Sequence, residues 1–274
     1  MFFKKLNLIK YKLVRFIESK PSLNLFIYNN IRFLRFLLPH EKDFYGMLLV
    51  CKNERDLSIL DIGANLGISL LGFRQLGFVN KIYAFEPNHY LYKNFLKNIS
   101  KNDSDIYVKN FALGNKNEEK FFYMPYYKST FVHYFSSFDK EYIYQSIKMT
   151  FPKKFAKFSL KKNKIKCRTF DSLKLNIKPH FIKIDTEGFD EFVLCGLKKT
   201  IEKFNPIFLI EYNKDYFFRI KKKLNNYVAY IYDINLNRMK KLNKKLINLH
   251  VARTNKNNFL SIRNVYFIPK NYKF

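Results

Sequence analysis

Tryptophan is absent from the 274 residues, cysteine occurs three times, and acidic residues number only 22 against 51 lysines and arginines. Three scattered cysteines, Cys51, Cys167 and Cys195, are too few for a disulfide framework or a cysteine metal knuckle, so a reducing cytoplasm is the expected compartment. No stretch reaches the roughly 18 consecutive apolar residues of a membrane span. The opening "MFFKKLNLIKYKLVRFIESK" is broken by Lys10, Lys12 and Arg15 and lacks the apolar centre of a signal peptide. Metal-ligand spacing is also missing among His40, His180 and His250. A chain that is cytoplasmic, with peripheral contact at the inner membrane face as its one route to lipid, is what these absences leave.

What is abundant is positive charge and aromatic side chains. The formal net charge is +29, with 31 phenylalanines and 20 tyrosines. Such a balance attracts nucleic acid, anionic membrane or acidic substrates. Lysine, asparagine, isoleucine, phenylalanine and tyrosine are also the residues an AT-rich genome over-supplies, so charge alone assigns no partner.

Organisation changes twice along the chain. Residues 1–50 read as a basic, aromatic helical extension punctuated by Pro21 and Pro39. In it "LNLFIYNNIRFLRFLL" sets apolar positions at helical spacing beside Arg32 and Arg35, which predicts a helix packed on the main domain or lying on anionic lipid. Residues 51–274 form the main domain. There, short apolar runs at 58–62, 81–85, 105–109, 181–184 and 206–210 alternate with helical segments, the signature of a parallel sheet with helices on both faces. Gly77 is placed to close the first helix and Asn88 to cap the second. Over about 120–166 the period is lost in an aromatic, basic stretch, expected as an insertion or lid over the active edge of the sheet. "NYVAYIYDIN" and "NVYFIPKNY" then predict two closing strands, an antiparallel pair. No internal repeat is present.

Each apolar run ends in a polar residue: Asp61, Glu86, Asn110, Asp185 with Glu187 two positions on, and Glu211. In an open parallel sheet all these ends lie on one edge, where ligands bind. A strongly basic chain thus gathers its scarce carboxylates along its ligand edge. "SILDIGANLGISLLGF" lacks both the P-loop pattern and the dinucleotide G-x-G-x-x-G, because its glycines fall at 63 and 67. A pyrophosphate would want cations and amides there. Carboxylates suit a ligand with a ribose, an ammonium and a sulfonium, which is S-adenosylmethionine.

Gly63, Ala64, Asn65 and Gly67 would form the close-approach loop. Asp61 would fix that loop and receive the ammonium, directly or through water. Glu86 would accept the ribose hydroxyls, with Asn88 beside it, while Asn110, or the backbone of Phe111 and Ala112, would face the adenine. Asp185 would contact cofactor and, with Glu187, orient or deprotonate an acceptor hydroxyl. The same acids could hold a divalent cation, which is not predicted. His133 in the aromatic stretch is a further candidate base, and Tyr123, Tyr126, Tyr127 and Tyr134 a candidate sugar-stacking wall.

Taken in order, "ILDIGANLG", "YAFEPN", "NFALGN", "FIKIDTEGFDEFVLCG" and "PIFLIEYN" resemble the FkbM-type methyltransferases over most of residues 58–212. The resemblance implies a Rossmann-like class I methyltransferase fold with a mostly parallel seven-stranded sheet. It also implies S-adenosylmethionine as methyl donor and O-methylation, often of sugars or glycan precursors, so polysaccharide biosynthesis is the expected setting and a small-molecule or glycan acceptor the expected partner. A nucleic-acid-binding protein or RNA methyltransferase is the rival that the charge supports. Lysines spread rather than striped, and the lack of an RNA-binding signature, argue against nucleic acid. A dead-site binding module and a nicotinamide reductase are the remaining alternatives, the latter opposed by the glycine spacing.

Overall fold

The computed structural model describes residues 42–51, 57–247 and 262–274. The helical extension expected over residues 1–50 therefore lies outside the described residues except for the turn Lys42–Tyr45 and the short helix α1, Gly46–Val50. The coordinates divide into two compact units: residues 38–119 with 165–274, and a second that holds residues 120–164. No helix among the described residues is long and apolar enough to cross a membrane.

The larger unit is built on a sheet whose strands begin with β1 (Ser58–Ile62), β2 (Ile82–Phe85) and β3 (Ile106–Lys109). The chain then forms the short β4 (Ala112–Leu113) before entering the second unit, and returns with β8 (Pro179–Ile184) and β9 (Ile207–Glu211). It closes with β10 (Tyr227–Asp233), β11 (Arg238–Lys241) and β12 (Asn264–Pro269). Spatial order is β11-β10-β12-β9-β8-β1-β2-β3. Strands β9, β8, β1, β2 and β3 are parallel. The last three are antiparallel, with β12 inserted between β9 and β10. The expected antiparallel closing pair is there, but the described sheet has eight strands rather than seven and is mixed. The extra strand is β11, short and lysine-bearing as an exposed edge needs to be. Asp233 holds its turn, accepting from the amides of Asn235 (3.0 Å) and Leu236 (3.2 Å).

Burial explains why these runs are strands. In β1, β8 and β12 nearly every residue is buried, as expected of strands covered on both faces. One face carries Ile59, Phe181 and Tyr266 into a core with α1 and helix α2 (Ile68–Gln75), where Phe73 stacks on Phe44 at 5.4 Å. On the opposite face Phe267 meets Phe217 of α8 (Lys214–Lys223), ring centroids 6.1 Å apart. Between them in sequence lie α3 (His89–Leu91), which runs through a wider turn at Tyr92–Leu96 into α4 (Lys97–Asn102). Helix α6 (Asp190–Cys195) and helix α7 (Lys198–Phe204) follow β8. Gly77, at φ +86°, follows the last turn of α2, and the Asn88 side chain accepts from the amides of Tyr90 (3.0 Å) and Leu91 (3.3 Å).

The second unit has a core of its own. Long strands β5 (Glu118–Tyr127) and β7 (Phe158–Arg168) pair, β6 (Thr130–Phe131) folds back on β5, and helix α5 (Lys140–Thr150) starts at an Asp139 cap. Val132, Phe135, Ile143, Ile147 and Phe151 form its centre, flanked by Tyr123, Tyr127 and Tyr134. These tyrosines pack against that core. The stretch whose sequence lacked a period is thus regular structure, two long strands and a helix around a core of its own.

Candidate functional site

Chain order reverses at β1, which has β2 on one side and β8 on the other. That is the switch point where the carboxyl ends of neighbouring strands diverge and a ligand crevice opens. The loops after β1 and β8 meet there. The amide of Asp185 donates to the Ile62 carbonyl at 3.0 Å, and those of Gly63 and Ala64 both donate to the Phe85 carbonyl, at 2.9 and 3.1 Å. Gly63 sits at φ +88°, and a Cβ there would lie 1.9 Å from the Asp185 carbonyl oxygen. Only glycine satisfies both conditions. Gly67, at φ +75°, faces Leu96 and Ile99 in the same way.

Behind this loop lies a buried charge cluster. Asp61 is fully buried and accepts the Ser69 hydroxyl through one oxygen. Its other oxygen is 3.6 Å from the ammonium of Lys183, which in turn donates to Asp185 at 3.0 Å. Burial pushes the Asp61 carboxyl above its ordinary range, opposed by the Lys183 charge and the Ser69 hydrogen bond.

Glu86, just beyond β2, ties two loops together. One oxygen accepts the Asn65 amide at 2.9 Å and the other the Asn88 amide at 2.8 Å. Each oxygen keeps a second lone pair. Burial nonetheless raises the carboxyl from 4.5 to about 7, the two backbone amides pulling the other way. Asn110 donates to the carbonyls of Glu86 (2.9 Å) and Pro87 (3.2 Å), while its own oxygen faces the His89 ring at 2.9 Å. Ala112 is buried in β4, paired with Cys167.

The loop after β8 is held from below. Asp190, at the start of α6, accepts from both the amide and the hydroxyl of Thr186, at 2.9 and 2.6 Å. Burial lifts its carboxyl to about 6. Two of the three residues between them, Glu187 (φ +51°) and Gly188 (φ +90°), are left-handed, a conformation uncommon for glutamate. Carboxylate oxygens of Asp185, Glu187 and Glu211 all lie within 4.8 Å of one another. That oxygen-only set, half-exposed, has the donor chemistry for a hard divalent cation or for a cationic organic group.

Asp61, Gly63, Ala64, Asn65, Glu86, Asn88, Asn110, Asp185 and Glu187 therefore share one strand-end edge, linked by the bonds above. His133 belongs to the 120–164 unit, where it is buried and its ring is pushed down to about 4 by desolvation. A ring of that strength is neutral at pH 7 and a weak proton acceptor. Lys183 and Ser69 were not singled out from sequence, and Asp190 suited only the N-terminal turn of its helix. The signal for Lys183 was a lone lysine inside the apolar run "FIKID", which a doubly covered strand tolerates only when the charge is paired.

Carboxylates thus line the switch-point edge of this α/β fold. The chain belongs to the family described as the methyltransferase FkbM domain, whose model matches residues 61–260. No curated protein matches it. Among solved structures it is similar to the methyltransferase FkbM from Methylobacillus flagellatus KT, with 16% identity and a TM-score of 0.46 over 81% of this chain and 47% of that one. The plantazolicin methyltransferase BpumL in complex with SAH gives 13% identity and a TM-score of 0.43, over 95% and 97% of the two chains. The Geobacter metallireducens GS-15 precorrin-6y C5,15-methyltransferase gives 12% and 0.39, over 84% and 88%. The chain thus spans about half the length of the Methylobacillus protein.

Proposed function

We propose that the protein is an S-adenosylmethionine-dependent O-methyltransferase acting on a sugar hydroxyl of a glycan or glycan precursor. The observation that carries this is Glu86, a buried carboxylate at the end of β2 bonded to the amides of Asn65 and Asn88, with lone pairs left for a diol. The donor set fits the cofactor: Glu86 would hold the ribose hydroxyls, Asn110 would brace the adenine side, and Asp185 would face the methionine ammonium. Asp61 and Lys183, both buried, would hold Asp185 and the glycine loop in place rather than touch ligand.

Bound there, the cofactor supplies an electrophilic methyl group on a sulfonium. The protein's part is alignment and proton removal. Glu187 and Glu211, half-exposed beside Asp185, can accept hydrogen bonds from a sugar and orient one hydroxyl oxygen. Either carboxylate can take the hydroxyl proton as it leaves.

Titration calorimetry with S-adenosylmethionine should show one site per chain. Glu86→Ala should weaken it ten- to hundredfold, the loss of charged hydrogen bonds of about 1.5–3 kcal/mol. Affinity should rise about tenfold from pH 6 to 8 as Glu86 ionises. A folded sample that gives no heat at millimolar cofactor overturns the reading. For the acceptor, mass spectrometry of surface glycans from cells with and without the protein should differ by methyl groups. Identical glycans would remove the sugar assignment.

A further inference from the structure

We infer that the 120–164 unit carries a docking surface for anionic lipid bilayers, centred on the lysine-bearing β5–β7 ribbon. Residues 120–164 hold ten lysines and two acids, a net +8 in 45 residues, against +29 for all 274. That density is about 1.7 times the chain average, so a uniform compositional bias does not account for it.

The lysines are placed as well as numerous. Lys161, Lys162 and Lys164 are all exposed on β7, Lys162 and Lys164 on one face of the strand and Lys161 on the other. Their ammonium groups lie over aromatic rings of β5: Lys161 4.5 Å from the Tyr126 centroid, Lys162 and Lys164 4.6 and 5.9 Å from that of Phe121. Phe121 is itself 41% exposed. Exposed Lys153 and Lys157 precede the strand, and Lys148 with Met149, 82% exposed, ends α5. A ring with ammonium groups beside it is the pairing that sits at a headgroup layer, the aromatic in the interfacial region and the charge at the phosphates.

Residue type separates a membrane from a nucleic acid. Residues 120–164 contain no arginine. Arginine's planar fork is what recognises individual phosphates and stacks on bases, whereas lysine is a point charge that answers to average surface potential. The Phe121 face is also already occupied by Lys162 and Lys164, which leaves no open platform for base stacking. The pattern therefore matches a fluid array of anions.

The full-length protein should co-sediment with phosphatidylcholine vesicles containing 30% phosphatidylglycerol, a probe of about that anionic content being enough to attract a polybasic surface. It should not bind pure phosphatidylcholine, and high salt should release it. The triple variant Lys161→Gln, Lys162→Gln, Lys164→Gln should bind on the order of a hundredfold more weakly, at roughly fivefold per lysine. The triple arginine replacement should keep binding. A matched triple in the other unit, Lys198→Gln, Lys221→Gln, Lys222→Gln, should lose less than tenfold. Equal losses in the two glutamine triples would mean that net charge alone drives adsorption and would overturn the assignment. So would single-stranded RNA that displaces the protein from vesicles at equal phosphate concentration, or a β7 triple that binds as wild type in a sample with unchanged circular dichroism.

Discussion

Charge is handled in opposite ways in the two units. At the strand-end edge of the larger one, Asp61, Lys183, Glu86 and Asp190 are buried and held by named partners. On the β5–β7 ribbon, lysines of one sign stand exposed over aromatic rings. Buried charge must be paired and so dictates local geometry, while exposed charge is screened and leaves geometry to the core beneath it. Substitutions should therefore cost stability at the edge and very little on the ribbon.

The largest effect is expected where that edge touches itself. Gly63→Ala would place a methyl 1.9 Å from the Asp185 carbonyl at φ +88°. Backbone cannot yield there without moving β8, so a loss of about 4 kcal/mol or outright failure to fold is expected. Gly77→Ala is the control. It shares the left-handed φ of +86° but meets nothing within 4 Å, so only backbone strain of about 1 kcal/mol remains. Urea unfolding of both variants separates the contact from the strain, and equal losses would show that the meeting of the β1 and β8 loops is not tight.

Next in size is Lys183→Met. Removing the ammonium leaves Asp61 fully buried with the Ser69 hydroxyl as its remaining donor, and takes the ion pair from Asp185. Stranding a buried charge costs about 3–5 kcal/mol, and adding Asp61→Asn should recover part of it. If the double variant is no more stable than the single, the two residues are not coupled.

Much of this edge was legible before any coordinates. Asp61, Glu86 and Asp185 each end an apolar run, and in a parallel sheet all such ends lie on one edge. The glycines at 63 and 67 announced a close approach, though not that the partner of Gly63 would be the Asp185 carbonyl, since a non-local contact leaves no trace in local spacing. Lys183 was passed over although a lone lysine in "FIKID" signalled a paired charge, because its partner Asp61 could not be read from local spacing. Its partners lie on β1 and in the loop after β8, and only the fold brings them to 3.6 and 3.0 Å. The closing strands were visible, but β12's insertion between β9 and β10 was not, because strand order is decided by pairing rather than by pattern. His133 illustrates the converse: a histidine among aromatics reads as a near-neutral base, and core burial takes it down to about 4.

A third prediction reads the buried carboxylates through pH. Glu86 holds its proton up to about pH 7 in the folded chain, against an ordinary value of 4.5. The native state then binds more protons than the unfolded one across that window, so stability is greatest below it, falls as pH rises through it, and is level above. Asp190 adds to the same slope between 3.8 and about 6. The ligand-free protein should thus lose about 2.5 kcal/mol between pH 5 and pH 8 on account of Glu86. Glu86→Gln should flatten that part of the profile in urea titrations. A slope unchanged by the substitution would place the titrating group elsewhere.

The smallest effect should come from the ribbon. Lys162→Gln and Lys164→Gln each remove an exposed ammonium 4.6 or 5.9 Å from the Phe121 ring. A cation beside an exposed ring contributes about 0.5 kcal/mol, and relief of repulsion between neighbouring lysines offsets part of it. Each variant should therefore unfold within about 0.5 kcal/mol of wild type, and the difference should vanish in high salt. A loss of 2 kcal/mol or more, beyond what an exposed site gives, would mean that these lysines hold the unit together, and the division between paired buried charge and free surface charge would no longer describe the molecule.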